Sequence, residues 1–380
     1  MDVLRHRDSI THGIMEAMLS RLKPLNTVLL HRANLYHNLS LFQNLVGEQQ
    51  VIPMLKGNAY GHGIHQVAEM LDGQVEMVAV DSYFEALEIL PYFRGRILCL
   101  GFILPENYRL LKNHHIEYVI QRREDLEALA ATGKRFRVHM EINTGMNRMG
   151  LPPGEIDAYL DVLERNPQLH LAGVMTHLSC ASEVDGSVSG EQMKRFDEVV
   201  DHVLERGFRP DLVHAMATAG VPRYKSRHTN AVRVGLGLYG ANPLDEEHPN
   251  YGDLAGLRPV LGLETTVVQI NHLEPGDAAG YNAAWVAERP SRLATVPIGY
   301  YECLLPRGLV SRGHLLYGDQ RLPIVGRICM NHTILDVTDC PEVERGATVS
   351  VPFLELAREL ELSPYEALIH VSSTIRREIV

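Results

Sequence analysis

Apolar positions recur along this chain in two rhythms, and the change from one to the other divides it. From Thr27 to Val234, short apolar runs of strand length alternate with segments whose apolar residues repeat every three or four positions. Strands are predicted at Thr27–His31, Val51–Leu55, Val75–Val80, Arg96–Leu100, Glu117–Ile120, Arg137–Ile142, Leu169–Thr176, Leu212–Met216 and Ala231–Val234. Helices are predicted over 33–46, where Leu35, Leu39, Phe42 and Leu45 share a face, and over 64–71, 83–90, 105–112, 122–131, 154–165 and 191–206. Alternating strand and helix predicts a parallel sheet with helices outside. Counting from Val51 gives eight strands, the number a (β/α)8 TIM-type barrel needs, and Thr27–His31 is assigned to a second domain. An open doubly wound sheet is the alternative, but no GxGxxG turn follows any strand to mark a dinucleotide site.

Beyond about residue 255 the rhythm becomes short strand-like runs between Gly, Pro and Asp turns: Val260–Asn271, Leu293–Pro297, His314–Tyr317, Leu322–Met330, Thr333–Val337 and Thr348–Val351. Helical spacing returns near 353–361 and 364–370. The predicted organisation is a helical extension over 1–26, a barrel over 27–255 and a mainly β domain over 256–380. In the extension, Ile14, Met15, Met18, Leu19 and Leu22 can share a helix face over 9–22, which Pro24 ends. Such a helix suits docking or an oligomer contact.

Charge and cysteine content narrow the partners. A net charge of -11 argues against nucleic acid, and there is no polybasic membrane patch. No apolar run approaches the roughly 20 residues of a membrane span. Five scattered cysteines without CxxC spacing read as reduced thiols of a cytoplasmic protein. The histidines lack a complementary ligand set at metal spacing, so no metal is expected.

The stretch Val51-Ile-Pro-Met-Leu-Lys56-Gly-Asn-Ala-Tyr60-Gly-His-Gly63 sets a lysine at the mouth of a buried strand, where desolvation disfavours an ammonium ion. Either Lys56 snorkels to water or it serves as an amine nucleophile, as in a Schiff base. Only six lysines stand among the 36 basic residues, so a lysine here is conspicuous. In a barrel, chemistry gathers at the C-terminal ends of strands, and phosphate sits after the last two. That rule brings Lys56, Arg148, His177, Thr218-Ala-Gly220, Arg233 and Gly235-Leu-Gly237 to one rim. Each is weak alone; together they suggest a phosphorylated cofactor held by a lysine, and pyridoxal phosphate fits that description.

These residues resemble the pyridoxal-phosphate-dependent alanine racemases, from about Thr27 to the C-terminus. The resemblance rests on Lys56-Gly-Asn-Ala-Tyr-Gly-His-Gly63, Thr144-Gly-Met-Asn-Arg148-Met-Gly150, Thr176-His177, Val232-Arg233-Val-Gly-Leu-Gly-Leu-Tyr239-Gly240, Ala279-Gly-Tyr281, Arg327-Ile-Cys-Met330 and Pro364-Tyr365-Glu366, in the family's order. It implies a barrel followed by a β domain, and a homodimer with shared active sites acting on a small-molecule amino-acid substrate. By the same resemblance Lys56 holds the cofactor covalently and is one acid/base group. Tyr281 from the other subunit is the second, on the opposite face. Tyr60, Thr218, Gly235, Leu236 and Tyr365 would bind the phosphate. Arg233 would meet the pyridine nitrogen, with His177 near it. Arg148 and the partner chain's Met330 backbone would hold the substrate carboxylate. Tyr281 must be stabilised as phenolate to act near neutral pH, since a free tyrosine has a pKa near 10. Arg233, with its very high pKa, should limit carbanion delocalisation into the ring and so suppress transamination.

The chain departs from the family pattern in places. Glu141 stands where many members have a carbamylated lysine; glutamate carries the same single negative charge and can brace Arg148 without CO2. Asn331 replaces a usual aspartate, and Tyr300-Tyr301-Glu302-Cys303 replaces a run of Tyr, a small residue, Asp and Gly at the expected substrate entrance. An alanine racemase supplying D-alanine for peptidoglycan is the leading reading. A racemase of other amino acids, such as serine or basic ones, is the alternative. A fold-related decarboxylase or a non-catalytic pyridoxal phosphate carrier fits less well, because of Arg233 and Tyr281 respectively.

Overall fold

Most apolar runs of the first rhythm are strands. The computed structural model of the chain describes residues 22–112, 115–303, 305 and 311–380. The predicted N-terminal helix lies, but for its last residue, outside them. β1 (Asn26–Leu30) precedes eight strands: β2 (Gln50–Pro53), β3 (Met77–Val80), β4 (Arg96–Cys99), β5 (Ile116–Ile120), β6 (Phe136–Glu141), β7 (Leu169–Met175), β8 (Leu212–Ala217) and β9 (Ala231–Val234). β2 to β9 form one parallel sheet in the order β2-β9-β8-β7-β6-β5-β4-β3. A parallel bridge between Met54 and Ala79 closes it into a barrel, reinforced by the Leu55 amide donating to the Ala79 carbonyl at 2.7 Å. Strands such as Met77–Val80 are buried along their whole length. A core strand therefore reads as a continuous apolar run, each Leu, Ile or Val contributing about 1.5–3 kcal/mol by burial.

Helices fill the outer layer at Arg32–Val46, Ile64–Leu71, Tyr83–Ile89, Arg123–Ala130, Ile156–Arg165 and Ser187–Glu205. Ser82 and Glu85 form a capping box on the third of these. The helix predicted over 105–112 is a 3-10 segment, Pro105–Leu110.

The β-rich part comprises β10 (Leu261–Thr266), β11 (Gln269–Leu273), β12 (Ala278–Ala279), β13 (Trp285–Val286), β14 (Ser291–Val296), β15 (His314–Tyr317), β16 (Gln320–Val325), β17 (Thr333–Asp336), β18 (Thr348–Ser350) and β19 (Arg376–Ile379). A nine-stranded sheet has the order β11-β14-β17-β16-β15-β18-β10-β1-β19, and β12 pairs with β13 as a hairpin. The strand predicted over Leu322–Met330 stops at Val325, because Gly326 turns into positive φ (69°).

Two compact units emerge. One is Leu29–Gly262 with Phe353–Val371 and Ile379–Val380; the other is Leu263–Pro352 with Ser372–Glu378 and the described residues up to Val28. The helical stretch 353–371 thus belongs with the barrel, although the chain pattern groups it with the β region. Among the described residues no helix is long and apolar enough to cross a membrane.

Candidate active site

Lys56 follows β2 and opens a turn that the glycines alone do not explain. Gly57, Asn58, Ala59, Tyr60 and Gly61 all take positive φ, between 52° and 83°. For each non-glycine residue that conformation costs about 1–2 kcal/mol. Local bonds offset the cost: Gly57 N–H donates to Glu85 Oε1 at 2.8 Å and Ile64 N–H to Asn58 Oδ1 at 2.8 Å. Ala59 N–H donates to the Leu55 carbonyl at 2.8 Å. The other Glu85 oxygen accepts from Asp81 N–H at 2.9 Å, tying the turn to the end of β3.

This turn delivers Tyr60 to the ends of β8 and β9. The Tyr60 ring lies 5.1 Å from Tyr239 and 6.1 Å from Tyr365, centroid to centroid. Burial raises the hydroxyl pKa of both Tyr60 and Tyr365, so each is a neutral hydrogen-bond donor. Thr218 Oγ1 accepts from Gly235 N–H at 3.1 Å and Gly237 N–H at 3.4 Å. Its own proton is then free to donate elsewhere. A Cβ on Gly235 would stand 2.4 Å from the Tyr60 oxygen, so only glycine lets the hydroxyl approach this backbone. The short 3-10 helix Leu236–Tyr239 starts immediately after, and its first N–H groups have no acceptor within the helix. Three hydroxyl donors and the start of a 3-10 helix make a cradle for a phosphate.

Arg233 is buried beside it, 3% exposed. Its guanidinium meets His214 Nδ1 at 2.6 Å and His177 Nδ1 at 3.2 Å, and donates to the Thr176 and Ala215 carbonyls at 2.7 and 3.0 Å. Burial brings its pKa down to about 10, so it stays a cation. Burial, with the charges of Arg233, Arg148 and Lys56, brings His177 to about 3, so it is neutral. Glu141 ends β6 and is buried, which raises its pKa; Arg233, a hydrogen bond from Gln121 and Arg148 oppose that rise. Glu141 thus lies within electrostatic reach of both arginines, Arg233 ahead of Arg148.

Arg148 projects from the loop after β6, closed at its base by Asn143 N–H to the Leu151 carbonyl (2.9 Å) and Leu151 N–H to the Glu141 carbonyl (2.8 Å). Asn143 Oδ1 accepts from Gly145 and Asn147 N–H, both at 3.1 Å, and so shapes the loop that carries Arg148.

The other unit carries a second group of residues. Tyr281 sits in the β12–β13 turn, where Gly280, Asn282 and Ala283 all have positive φ, and is 67% exposed. Met330, Tyr300 and Tyr301 are also exposed. Tyr300 N–H donates to the Cys329 carbonyl at 3.2 Å and Tyr301 N–H to the Met330 carbonyl at 3.0 Å. Asn331 Nδ2 donates to Glu302 Oε1 at 2.7 Å, and Glu302 Oε2 accepts from Gly299 N–H at 2.9 Å.

The family model for the alanine racemase N-terminal domain matches residues 30–243, and that for the C-terminal domain matches 260–379. The chain belongs to the alanine racemase family. An alanine racemase of Sorangium cellulosum is 34% identical over 334 residues, 83% of this chain and 85% of that one. The crystal structure of a biosynthetic alanine racemase from Pseudomonas aeruginosa has a TM-score of 0.82 at 28% identity, covering 94% of this chain and 100% of that one. The alanine racemase of Bartonella henselae, solved with covalently bound pyridoxal phosphate, shares the fold at 23% identity with a TM-score of 0.80 and the same coverage.

Within the barrel unit the structure brings together the sequence-predicted residues Lys56, Tyr60, Glu141, Arg148, His177, Thr218, Arg233, Gly235, Leu236 and Tyr365. Tyr281, Tyr300, Met330 and Asn331 all lie on the other unit. Sequence reasoning missed Glu85, Gln121 and His214. The available signal for His214 was a histidine inside the apolar run Leu212–Met216; Glu85 gave only a helix-capping signal.

Proposed function

We propose that the protein interconverts L- and D-alanine, holding pyridoxal phosphate covalently at Lys56. The observation that carries this reading is the shared rim. Lys56 follows β2, the Thr218–Gly235–Tyr60 cradle lies where β8 and β9 end, and Arg233 pairs in register with Ile52 of β2. The donor set fits the cofactor: hydroxyls and backbone N–H groups for a phosphate, a lysine for the carbonyl carbon, and an arginine for the ring nitrogen. Bound there, pyridoxal phosphate would supply an electron sink that acidifies the Cα–H bond of an attached amino acid.

Lys56 Nζ takes or returns a proton on one face of the substrate, and Tyr281 Oη does so on the other. Arg233, a cation held by the carbonyls of Thr176, His214 and Ala215 and by two histidine rings, donates to the ring nitrogen and does not yield its proton. Arg148 orients the substrate carboxylate, and Glu141 braces Arg148. A homodimer in which the partner's turn brings its own tyrosine to this rim completes the site; the exposure of Tyr281 in its own chain supports that reading. Five free cysteines support a cytoplasmic setting.

The Glu302–Asn331 pair bears on substrate choice. Glu302 is buried and committed to Asn331 and Gly299, so it is not offered to a basic side chain. Exposed Tyr301 and Met330 instead favour a small, neutral amino acid. The test is chiral analysis of a panel of L-amino acids on the cofactor-loaded protein. Fast racemisation of alanine with negligible turnover of lysine and arginine is expected. Fast turnover of another amino acid beside negligible turnover of alanine would overturn the assignment.

A further inference from the structure

Arg233 does not end its interactions at the rim; a line of buried polar groups runs from it through the barrel interior. Arg233 meets His214 Nδ1 at 2.6 Å. His214 Nε2 meets His139 Nδ1 at 3.0 Å. His139 Nε2 meets Glu117 Oε2 at 2.7 Å. The other Glu117 oxygen accepts from Arg137 Nε at 2.6 Å and Arg96 NH1 at 3.2 Å. His139, His214, Glu117 and Arg233 are all between 0% and 3% exposed. Glu117 is the second residue of β5 and Arg233 the third of β9, so the line runs from the start of one strand to near the end of another.

The direction of every bond follows from chemistry. A guanidinium only donates, so His214 Nδ1 is bare and its proton sits on Nε2. That proton is donated to His139, leaving His139 Nδ1 bare and its own proton on Nε2. A carboxylate only accepts, so Glu117 terminates the series. Its two acceptor oxygens are the one feature that selects this tautomer sequence from the far end. The reverse sequence would set an imidazole N–H against an Arg233 N–H.

The strands are shaped for the line. The β6–β7 register shifts at Val138/His139, and the β8–β9 register shifts between His214 and Ala217. Such irregularities re-aim side chains. A Cβ on Gly173 of β7 would lie 2.1 Å from His139 Nδ1, so a glycine opposite makes room for the ring.

We propose that Glu117 is a positioning residue for Arg233, acting through His139 and His214 by fixing both imidazoles as Nε2–H tautomers. This rests on the racemase reading only for its kinetic consequence; the tautomers are a property of the chain itself. The experiment is 15N spectroscopy of the full chain labelled at histidine, with pyridoxal phosphate bound, alongside alanine kinetics. Wild type should show His139 and His214 as neutral Nε2–H rings. Glu117→Gln should mix the tautomers and lower kcat about tenfold while KM moves less than twofold.

Arg137→Gln is the control, since it breaks one ion pair on Glu117 but leaves the carboxylate on His139. Arg137→Gln should lower thermal stability yet leave tautomers and kcat near wild type. Equal losses of kcat in the two variants, tracking stability, would reduce Glu117 to a structural role and overturn the proposal. If Glu117→Gln does not fold, the wild-type spectrum decides: a proton on Nδ1 of either ring overturns it. Absence of racemisation by wild type would instead strike the functional assignment, leaving the tautomer result to stand or fall separately.

Discussion

The two halves of the proposed chemistry are built in opposite ways. On the barrel unit, Arg233 makes hydrogen bonds in several directions, Thr218 is fixed by two backbone amides, and Glu85 clamps the turn after Lys56. On the β-rich unit, Tyr281 stands exposed at a hairpin tip and Met330 and Tyr301 are exposed as well. One group is preorganised by its own chain; the other consists of side chains still open to solvent. On the proposed reading, cofactor binding would belong to the folded chain, whereas substrate handling on the second face would wait for a neighbour. This division suits an enzyme in which the electrostatics around the ring must not change between forward and reverse reaction.

The sharpest test removes the covalent anchor. Lys56→Ala should abolish racemisation and the visible absorbance of the lysine-linked cofactor, while the phosphate cradle still binds pyridoxal phosphate reversibly. A retained linked-cofactor spectrum would mean another lysine is used, and the comparison would collapse on the barrel side. Next comes the exposed group. Tyr281→Phe should lower racemisation by roughly 10²–10⁴-fold, the usual range for a positioned acid or base, and leave the cofactor spectrum intact. Mixing Lys56→Ala and Tyr281→Phe chains then asks which subunit supplies the tyrosine. If sites are shared in a closed dimer, random reassembly should restore about a quarter of wild-type activity. No restoration would make each chain self-sufficient and erase the contrast between the two groups.

A smaller effect should come from the cradle. Gly235→Ala puts a methyl group 2.4 Å from the Tyr60 oxygen, an overpacking on the order of 1–3 kcal/mol. Pyridoxal phosphate affinity, measured by fluorescence titration of the apoprotein, should weaken at least several-fold. Unchanged affinity would mean that Tyr60 moves aside freely and the cradle is less rigid than its bonds suggest.

The same contrast governs what the sequence revealed. Eight apolar runs with helices between them were enough for the barrel, because a strand buried on both faces leaves a continuous apolar signature. The rim residues followed from strand order and from motifs that keep near neighbours together, as in Lys56–Gly63. Features made by distant residues meeting were not legible. Glu117 is the single charged letter of β5, His214 the single polar letter of β8 and His139 one of three titratable letters in β6, and only the closed barrel makes them neighbours. Tyr365 could be tied to the phosphate by resemblance, but nothing local says that 353–371 leaves the β region for the barrel unit. The left-handed run Gly57–Gly61 was also hidden, since Ala59 and Tyr60 do not ordinarily adopt it and Asn58 does so as a single residue, not in a run. β19, Arg-Arg-Glu-Ile, has no apolar alternation and is a strand only because β1 offers it an edge.

The smallest expected effect concerns the barrel interior and acid. His214 is fully buried and its pKa lies well below the ordinary 6.5, first through desolvation and then through the Arg233 charge. His177 is brought to about 3 by the same two causes. In the unfolded chain both bind protons near pH 6.5. The folded pKa values are depressed, so their contribution is complete above pH 6.5 and is lost as pH falls toward 3. For His214 the slope is up to about 1.4 kcal/mol per pH unit below pH 6. Glu117 adds a second, lower window. Burial raises its carboxyl, but hydrogen bonds from His139 and Arg137, with the Arg137 charge, outweigh that and bring it to about 2, so this stability is lost between about 4.5 and 2. Urea midpoints should therefore be flat from pH 8 to 7 and fall steadily from pH 6 to 5. His214→Gln, which keeps a polar group but cannot take up a proton, should flatten that fall even if it lowers the midpoint at every pH. A wild-type midpoint unchanged down to pH 5 would mean the barrel accepts protons on its histidines while folded, and its interior would then be as adaptable as the exposed turn that carries Tyr281.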